Sequence, residues 1–376
     1  MTIVGPRFVA FLSAALALGL AAPPGVASAT TDETATLAAA TEAGLVGIAE
    51  AVLRQRTAAM LPDSAAAALN EPLANTLAKA SESLTATQAA AVTELHARRD
   101  ALAEWGEAYT AGETGIRGHQ LTVNGKTAVL DVEEFTKLYY AKVTGLEPEF
   151  TAFAAHRRFV FAREADGGWV LESESRLEDG PAPINEATGA QPAEMKAALA
   201  AEPETGAAAD PKRVSAQDAT VQYNYGAMAA YAETYWDNYN SGYRTFSDVG
   251  GDCTNFVSQV MRAGGWSDAS GYYRDAHYWW YNFLNQTWSW INVNYWHDFA
   301  AVYSGRTYIL GSPDYMGLAD VLQVDFTYNG SKDHSMVVSY NGSQPYLTYH
   351  TTDTYRRSLS SLKSSYPSAR WVPHRT

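Results

Sequence analysis

The chain has 376 residues, 47% hydrophobic and 18% charged, with a single cysteine. An apolar share this high excludes wholesale disorder, and one cysteine excludes both an internal disulfide framework and a Cys-based zinc site. Lys and Arg number 27 against 41 Asp and Glu, a net charge of −14 that argues against a nucleic-acid partner.

The first 29 residues read as a signal peptide. Arg7 precedes an apolar run from Phe8 to Ala22, and Ala27-Ser28-Ala29 fits the rule for cleavage after Ala29. A run of roughly 15 apolar residues is short for a span of about 20. The mature chain is therefore expected to be secreted and to carry no membrane span.

Residues 35–177 read as a small α+β domain, with a cystatin or NTF2 type as the fold guess. Leu45, Ile48 and Val52 are spaced for one helical face, Pro62 interrupts, and a second helical stretch covers Leu84–Tyr109. The period then changes to that of strands. Asn124-Gly125 predicts one hairpin and Asp166-Gly167-Gly168 a second. No titratable cluster in this stretch looks like a site.

Residues 178–214, rich in Ala, Pro and Glu, read as a linker with a short helix around Met195–Ala201. The composition then shifts. Residues 215–376 hold 20 of 23 Tyr and 8 of 10 Trp, so the two segments are expected to have separate cores and the second to fold alone.

The informative stretch is Gly250-Gly251-Asp252-Cys253-Thr254-Asn255-Phe256-Val257-Ser258-Gln259. Asp252 is a good N-cap, Gly264-Gly265 a good stop, and Phe256, Val257, Val260 and Met261 form an apolar stripe. The only thiol thus sits at a helix start, where unpaired N–H groups and the dipole favour thiolate. The reading is a nucleophile with a depressed pKa. A structural cysteine is the competing reading for a lone Cys.

A thiolate needs a base. His277 and His297 lie in aromatic stretches, and His374 is three residues from the end and expected to fray. His334 opens a strand, His334–Tyr340, where a side chain can project into a cleft. If Tyr340 pairs with Tyr346 across Asn341–Pro345, then His350 shares the face of His334 and can orient it, while Asp353 falls on the other face. The aromatic run Tyr272–Trp296 is read mostly as core, with some members, Trp279 and Trp280 among the candidates, lining a cleft.

The motif at 250–259, with Ala230-Tyr231-Ala232, Tyr239-Asn240, Tyr243 and Phe246 upstream and His334-Ser335-Met336-Val337-Val338 and Tyr349-His350-Thr351 downstream, resembles the putative amidase domain of bacterial secreted proteins. That domain is similar in turn to the NlpC/P60 and CHAP peptidases. The resemblance covers about residues 218–376 and implies a papain-like α+β fold, a Cys-bearing helix on an antiparallel sheet. It implies a cysteine amidase or peptidase in which Cys253 attacks an amide carbonyl, His334 moves the proton and His350 is the third residue. The backbone N–H of Cys253, with Tyr243 or Tyr239, would hold the oxyanion, and Asp252 would cap the helix or grip a substrate amine. Peptidoglycan peptide is the expected substrate, with no cofactor or metal and a monomeric chain. A non-catalytic wall- or glycan-binding module and a Cys–His acyl transferase are the alternatives.

Overall fold

The computed structural model describes residues 27–70, 80–189, 223–247 and 251–376. Most of the leader and the helix expected at Met195–Ala201 lie outside these residues. Two compact units divide at Gly44/Leu45. The first contributes the N-terminal part of helix α1 (Ala27–Ala59), and every other element belongs to the second.

Beyond residue 45, α1 sets Leu45, Ile48, Ala49, Val52 and Leu53 against Leu130, Phe159, Phe161 and Leu171. This is the predicted face, because side chains three and four apart lie together on a helix. Helices α2 (Asp63–Asn70) and α3 (Glu82–Glu104) follow, then four antiparallel strands: β1 (Tyr109–Asn124), β2 (Thr127–Tyr140), β3 (Phe150–Arg163) and β4 (Trp169–Arg176). Asn124 pairs with Thr127 across Gly125, and Arg163 with Trp169 across Asp166-Gly167-Gly168, so both hairpins fall where the turn residues put them. Strand β2 alternates buried and half-buried residues from end to end, with Ala128, Leu130, Val132, Leu138 and Tyr140 inward.

The second half of the chain opens with α4 (Tyr225–Tyr235) and α5 (Cys253–Ala263), then the short α6 (Trp288–Ile291) and α7 (Val293–His297). Strands β5 (Tyr308–Ile309), β6 (Val321–Asp325), β7 (His334–Asn341), β8 (Pro345–Tyr349) and β9 (Asp353–Ser358) come next, followed by α8 (Leu359–Ser365) and β10 (Arg370–Arg375). Helix α5 buries Phe256, Val257, Val260 and Met261 in one cluster with Trp266, Trp279, Trp290, Trp296, Phe299 and Val337. The aromatic run is therefore mostly core, as its size requires.

Three buried clusters each lie within one half, but a fourth and the sheet are shared by both. One mixed α+β molecule is built on a single large sheet, ordered β1-β2-β3-β9-β8-β7-β6-β10-β5, with β4 on β3. The joint is β3 on β9, Ala152 opposite Tyr355, Phe153 opposite Thr354 and Ala154 opposite Asp353. Tyr346 of β8 packs in the same cluster as Leu138, Tyr140 and Phe153. An edge strand offers unpaired N–H and C=O groups, and here each half covers the other's edge.

The linker reading is also corrected over residues 180–189. Pro181–Asn185 are buried. Ala182 N–H donates to the Tyr366 hydroxyl at 2.5 Å, and the Arg357 guanidinium donates to the Ala182 carbonyl at 2.7 Å. Asn185 Nδ2 donates to Glu134 Oε1 at 2.7 Å, beside a buried Arg157–Glu134 pair at 2.5 Å. A Pro- and Ala-rich segment can look like linker and still be held by its backbone and one amide side chain.

This architecture predicts that Phe153→Ala, on the strand that joins the halves, destabilises the whole molecule by roughly 3–5 kcal/mol. Urea melts followed by tryptophan fluorescence, which reports the Trp-rich second half, should show the loss. An unchanged fluorescence midpoint would mean that the halves unfold independently.

Candidate active site

Asp252 stands at the N-cap position of α5, and its carbonyl accepts from Phe256 N–H at 2.9 Å. Its carboxylate does not cap the helix. Oδ1 accepts from Phe246 N–H at 2.8 Å and Asn255 Nδ2 at 2.9 Å, and Oδ2 lies 2.8 Å from His350 Nδ1. With the residue 1% exposed, neither oxygen is open to a substrate amine. Both sequence-based roles for Asp252 give way to a third, as the buried partner of His350.

His350 is held on every side. Its Nε2 lies 2.7 Å from the Tyr235 carbonyl, and its ring is sandwiched by Tyr239 and Phe256 at 3.9 and 4.0 Å between centroids. Facing a carboxylate at one nitrogen and a carbonyl at the other, both ring nitrogens must donate, which is the imidazolium form. Burial opposes that charge. The hydrogen bond to Asp252, the nearby Asp353 carboxylate, the Asp252 charge and the Tyr235 carbonyl together outweigh it and raise the pKa.

The expected pairing of His350 with His334 is not made. Tyr340 does pair with Tyr346, but a bulge at Ser339 shifts the register, so that Val338 meets Leu347 and Val337 meets Thr348. One extra residue reverses which face every later side chain takes. His350 therefore lies on the α5 side, against Phe256. The His334 ring does not meet it and instead makes an edge contact with Tyr349, 5.3 Å between centroids.

Cys253 occupies the first turn of α5, 7% exposed. Its sulfur is 3.7 Å from Thr254 Oγ1 and faces the backbone N–H of Ser335, the residue after His334. Continuing the β7–β8 register would set residue 350 opposite Ser335. Strand β8 ends at Tyr349, however, and the chain turns through Thr351 and Thr352, with φ of 64° and 62°. A strand N–H left without its ladder partner thus faces the sulfur. Thr254 Oγ1 also meets Ser335 Oγ at 3.1 Å, a second tie between helix and strand.

Burial, the dominant influence, pushes the Cys253 thiol above its ordinary value, and the Asp252 charge adds to this against the hydrogen bonds from Thr254 and Ser335. The helix start does not win here, because the thiol is out of water and next to a carboxylate. Burial also depresses His334, to about 3, with Arg176 and His350 adding to it. His334 is 2% exposed, and its Nε2 is buried without a hydrogen-bond partner. At rest the thiol is neutral, and so is the His334 imidazole, which has a free nitrogen.

A cleft of about 570 Å³ opens beside Gly251, lined also by Tyr239, Thr351 and Asp353, and by His156, Leu177, Glu178 and Asp179 from the first half. Gly251 has φ of 104°, which glycine adopts without strain, and a Cβ there would lie 3.1 Å from Thr351 Oγ1. Tyr239 lines this cleft, but its hydroxyl donates to Asp353 Oδ1 at 2.9 Å and so is not free for an oxyanion. Tyr243 packs on Tyr281 and Trp290. Trp279 is core, its Nε1–H donating to Ser258 Oγ at 3.1 Å. Trp280, half-buried, donates to the Gly271 carbonyl at 2.9 Å. None of these three lines the cleft. His374 is not frayed: it lies buried on β10, between Thr307 Oγ1 at 2.9 Å and His297 Nδ1 at 3.2 Å. Among the described residues no three His, Cys, Asp or Glu side chains are grouped to hold a metal ion, and no helix is long and apolar enough to cross a membrane.

Residues 222–372 match the family model described as "Putative amidase domain". That stretch carries Cys253, His334 and His350, and the description suggests hydrolysis of amides. Residues 27–189 lie outside the match. The uncharacterized protein YhbB of Bacillus subtilis (strain 168) is 29% identical over 143 residues, 36% of this chain and 44% of that protein. The chain thus spans less than half the length of that curated relative. A crystal structure of the Kfla4162 protein from Kribbella flavida is 21% identical over 25% of this chain and 58% of that one, with a TM-score of 0.20.

The His350–Asp252 pair has a testable pH signature. Because the folded pKa is raised, the stabilisation is fully present below the unfolded value of about 6.5 and is lost as pH rises through the folded one. Urea melts of wild type and His350→Gln, which leaves the carboxylate unpaired, should differ by roughly 3–5 kcal/mol at pH 6 and less at pH 9. A gap that is constant or widens with pH would show that the ring is neutral.

Proposed function

We propose that the second half of the chain is a secreted cysteine amidase or peptidase in which Cys253 is the nucleophile and His334 carries its proton. The observation that carries this reading is the seat of the thiol. It lies at a helix start, on the N–H of Ser335, one residue from an imidazole whose buried nitrogen has no partner. The family match to an amidase domain supports the reaction class.

In the proposed reaction His334 takes the thiol proton as sulfur attacks the amide carbonyl, so a neutral pair suffices and no standing thiolate is required. The backbone N–H groups of the first α5 turn face the developing oxyanion, helped by the helix dipole. His334 then gives the proton to the leaving amine, leaving a thioester on Cys253. Water, activated by the same imidazole, releases the acid. His350 takes no proton in this scheme. Its charge is spent on Asp252, and its role is to hold the start of α5 in place.

Peptidoglycan peptide is the proposed substrate class, from the secretory leader and the family resemblance. For the glycan-binding alternative, Trp279, Trp290 and Trp296 are fully buried and unavailable to a ligand, whereas Tyr272 and Trp288 of the same run are exposed. Acyl transfer shares the thioester and differs only in the acceptor. Incubation with a mixture of muropeptides, followed by mass spectrometry, should reveal new carboxyl and amino termini. Cys253→Ser and His334→Ala should each lower the rate by at least about 10³-fold, because members of such a pair act as one unit. Undiminished turnover in Cys253→Ser would refute the assignment.

A further inference from the structure

We propose that Arg176, on strand β4 of the first half, is a positioning residue for the Cys253–His334 site, bracing the Thr351–Thr352 turn on which the nucleophile's backbone is seated. This rests on the reading of that site as an amidase centre, and it gives the first half a part in the reaction.

The brace can be followed atom by atom. Arg176 Nη1 donates to Thr352 Oγ1 at 3.0 Å, and Arg176 Nε donates to Glu186 Oε1 at 3.3 Å, which fixes the guanidinium on its own side. Four residues further on, Gly180 passes so close to the turn that a Cβ there would lie 2.0 Å from the Thr351 carbonyl oxygen. Thr351 Oγ1 in turn accepts from Asp252 N–H at 3.0 Å, directly before Cys253. Thr351 and Thr352 both have positive φ, a conformation that non-glycine residues keep only when their surroundings enforce it. Arg176 and the Gly180 crossing are part of those surroundings. The turn ends the β8 ladder, and that ending leaves the Ser335 N–H to the sulfur. Without the brace the turn can relax, and the sulfur's seat relaxes with it.

Arg176 also acts on His334 through its charge, which adds to burial in keeping the imidazole neutral. The groups that act on His334 are Arg176 from β4 and Tyr349 and His350 from the β8 end. Of these, Arg176 and His350 disfavour a proton on the ring. A merely structural arginine would not move this titration.

The test uses the full chain and three variants, with the fold checked by thermal melting. Arg176→Gln removes charge and brace, Arg176→Lys keeps the charge, and Thr352→Val removes only the hydroxyl that the brace holds. On a muropeptide cleaved by the wild type, kcat should fall about tenfold or more in Arg176→Gln and Thr352→Val, with KM little changed. Iodoacetamide should alkylate Cys253 faster in both, by about tenfold, as the seat loosens. Histidine-ring NMR should show the His334 midpoint rising by about one unit in Arg176→Gln and staying put in Arg176→Lys and Thr352→Val. Wild-type kcat and alkylation in Thr352→Val would overturn the brace, including where Arg176→Gln does not fold. A wild-type His334 midpoint in folded Arg176→Gln would overturn the charge effect. Alkylation and NMR need no substrate, so they decide the proposal even if no muropeptide is cleaved and the amidase reading itself fails.

Discussion

The site depends on where one strand stops. Strand β8 runs beside β7 as far as Tyr349, then leaves it through two threonines in left-handed conformation. A buried backbone N–H must be paired, and when the ladder no longer supplies the partner something else has to. At Ser335 the group that faces the N–H is the Cys253 sulfur. Helix α5, its carboxylate anchor and the histidine next to Ser335 are all arranged around this one vacated position. The Asp252–His350 pair locks the helix start from one side, and the threonine turn holds it from the other.

Charge is distributed so that the Cys253 thiol and the His334 imidazole carry none at rest. The full charges sit on Asp252, next to Cys253 in the chain, and on His350, where aromatic rings exclude water and each ionic group has a partner. Burial raises the thiol and lowers His334, so charge separation is deferred to the moment of attack. Such an arrangement protects a lone thiol from oxidants, which attack thiolate in preference to thiol. In the proposed reaction the burden of activation falls on the imidazole rather than on a preformed ion pair.

Much of this was legible in the sequence, and the failures are specific. The helix from Cys253 to Ala263 was bounded by its own punctuation, and both hairpins by theirs. The Tyr340–Tyr346 pairing was right, yet a single bulge at Ser339 reversed the face of His350. Bulges leave no reliable mark in a strand pattern, so a parity argument carried past one fails by one residue. The low-pKa thiol followed from the helix dipole alone. It omitted burial and the carboxylate next door, both of which are tertiary facts. The separate domains were inferred from composition, but sheet pairing needs only backbone, and β3 on β9 joins segments of unlike composition. Ser335 and Thr351 lay inside motifs already singled out, next to the two histidines. Arg176 carried no sequence signal at all.

The central claim is that the Cys253 sulfur itself becomes acylated. Acid-quenched reactions with a muropeptide mixture, digested and sequenced by mass spectrometry, test it most directly. The account predicts a mass increment on the peptide containing Cys253, removed by hydroxylamine as a thioester should be and absent in Cys253→Ser. Turnover that proceeds with Cys253 unmodified at every quench time, and that persists in the serine variant, would contradict it.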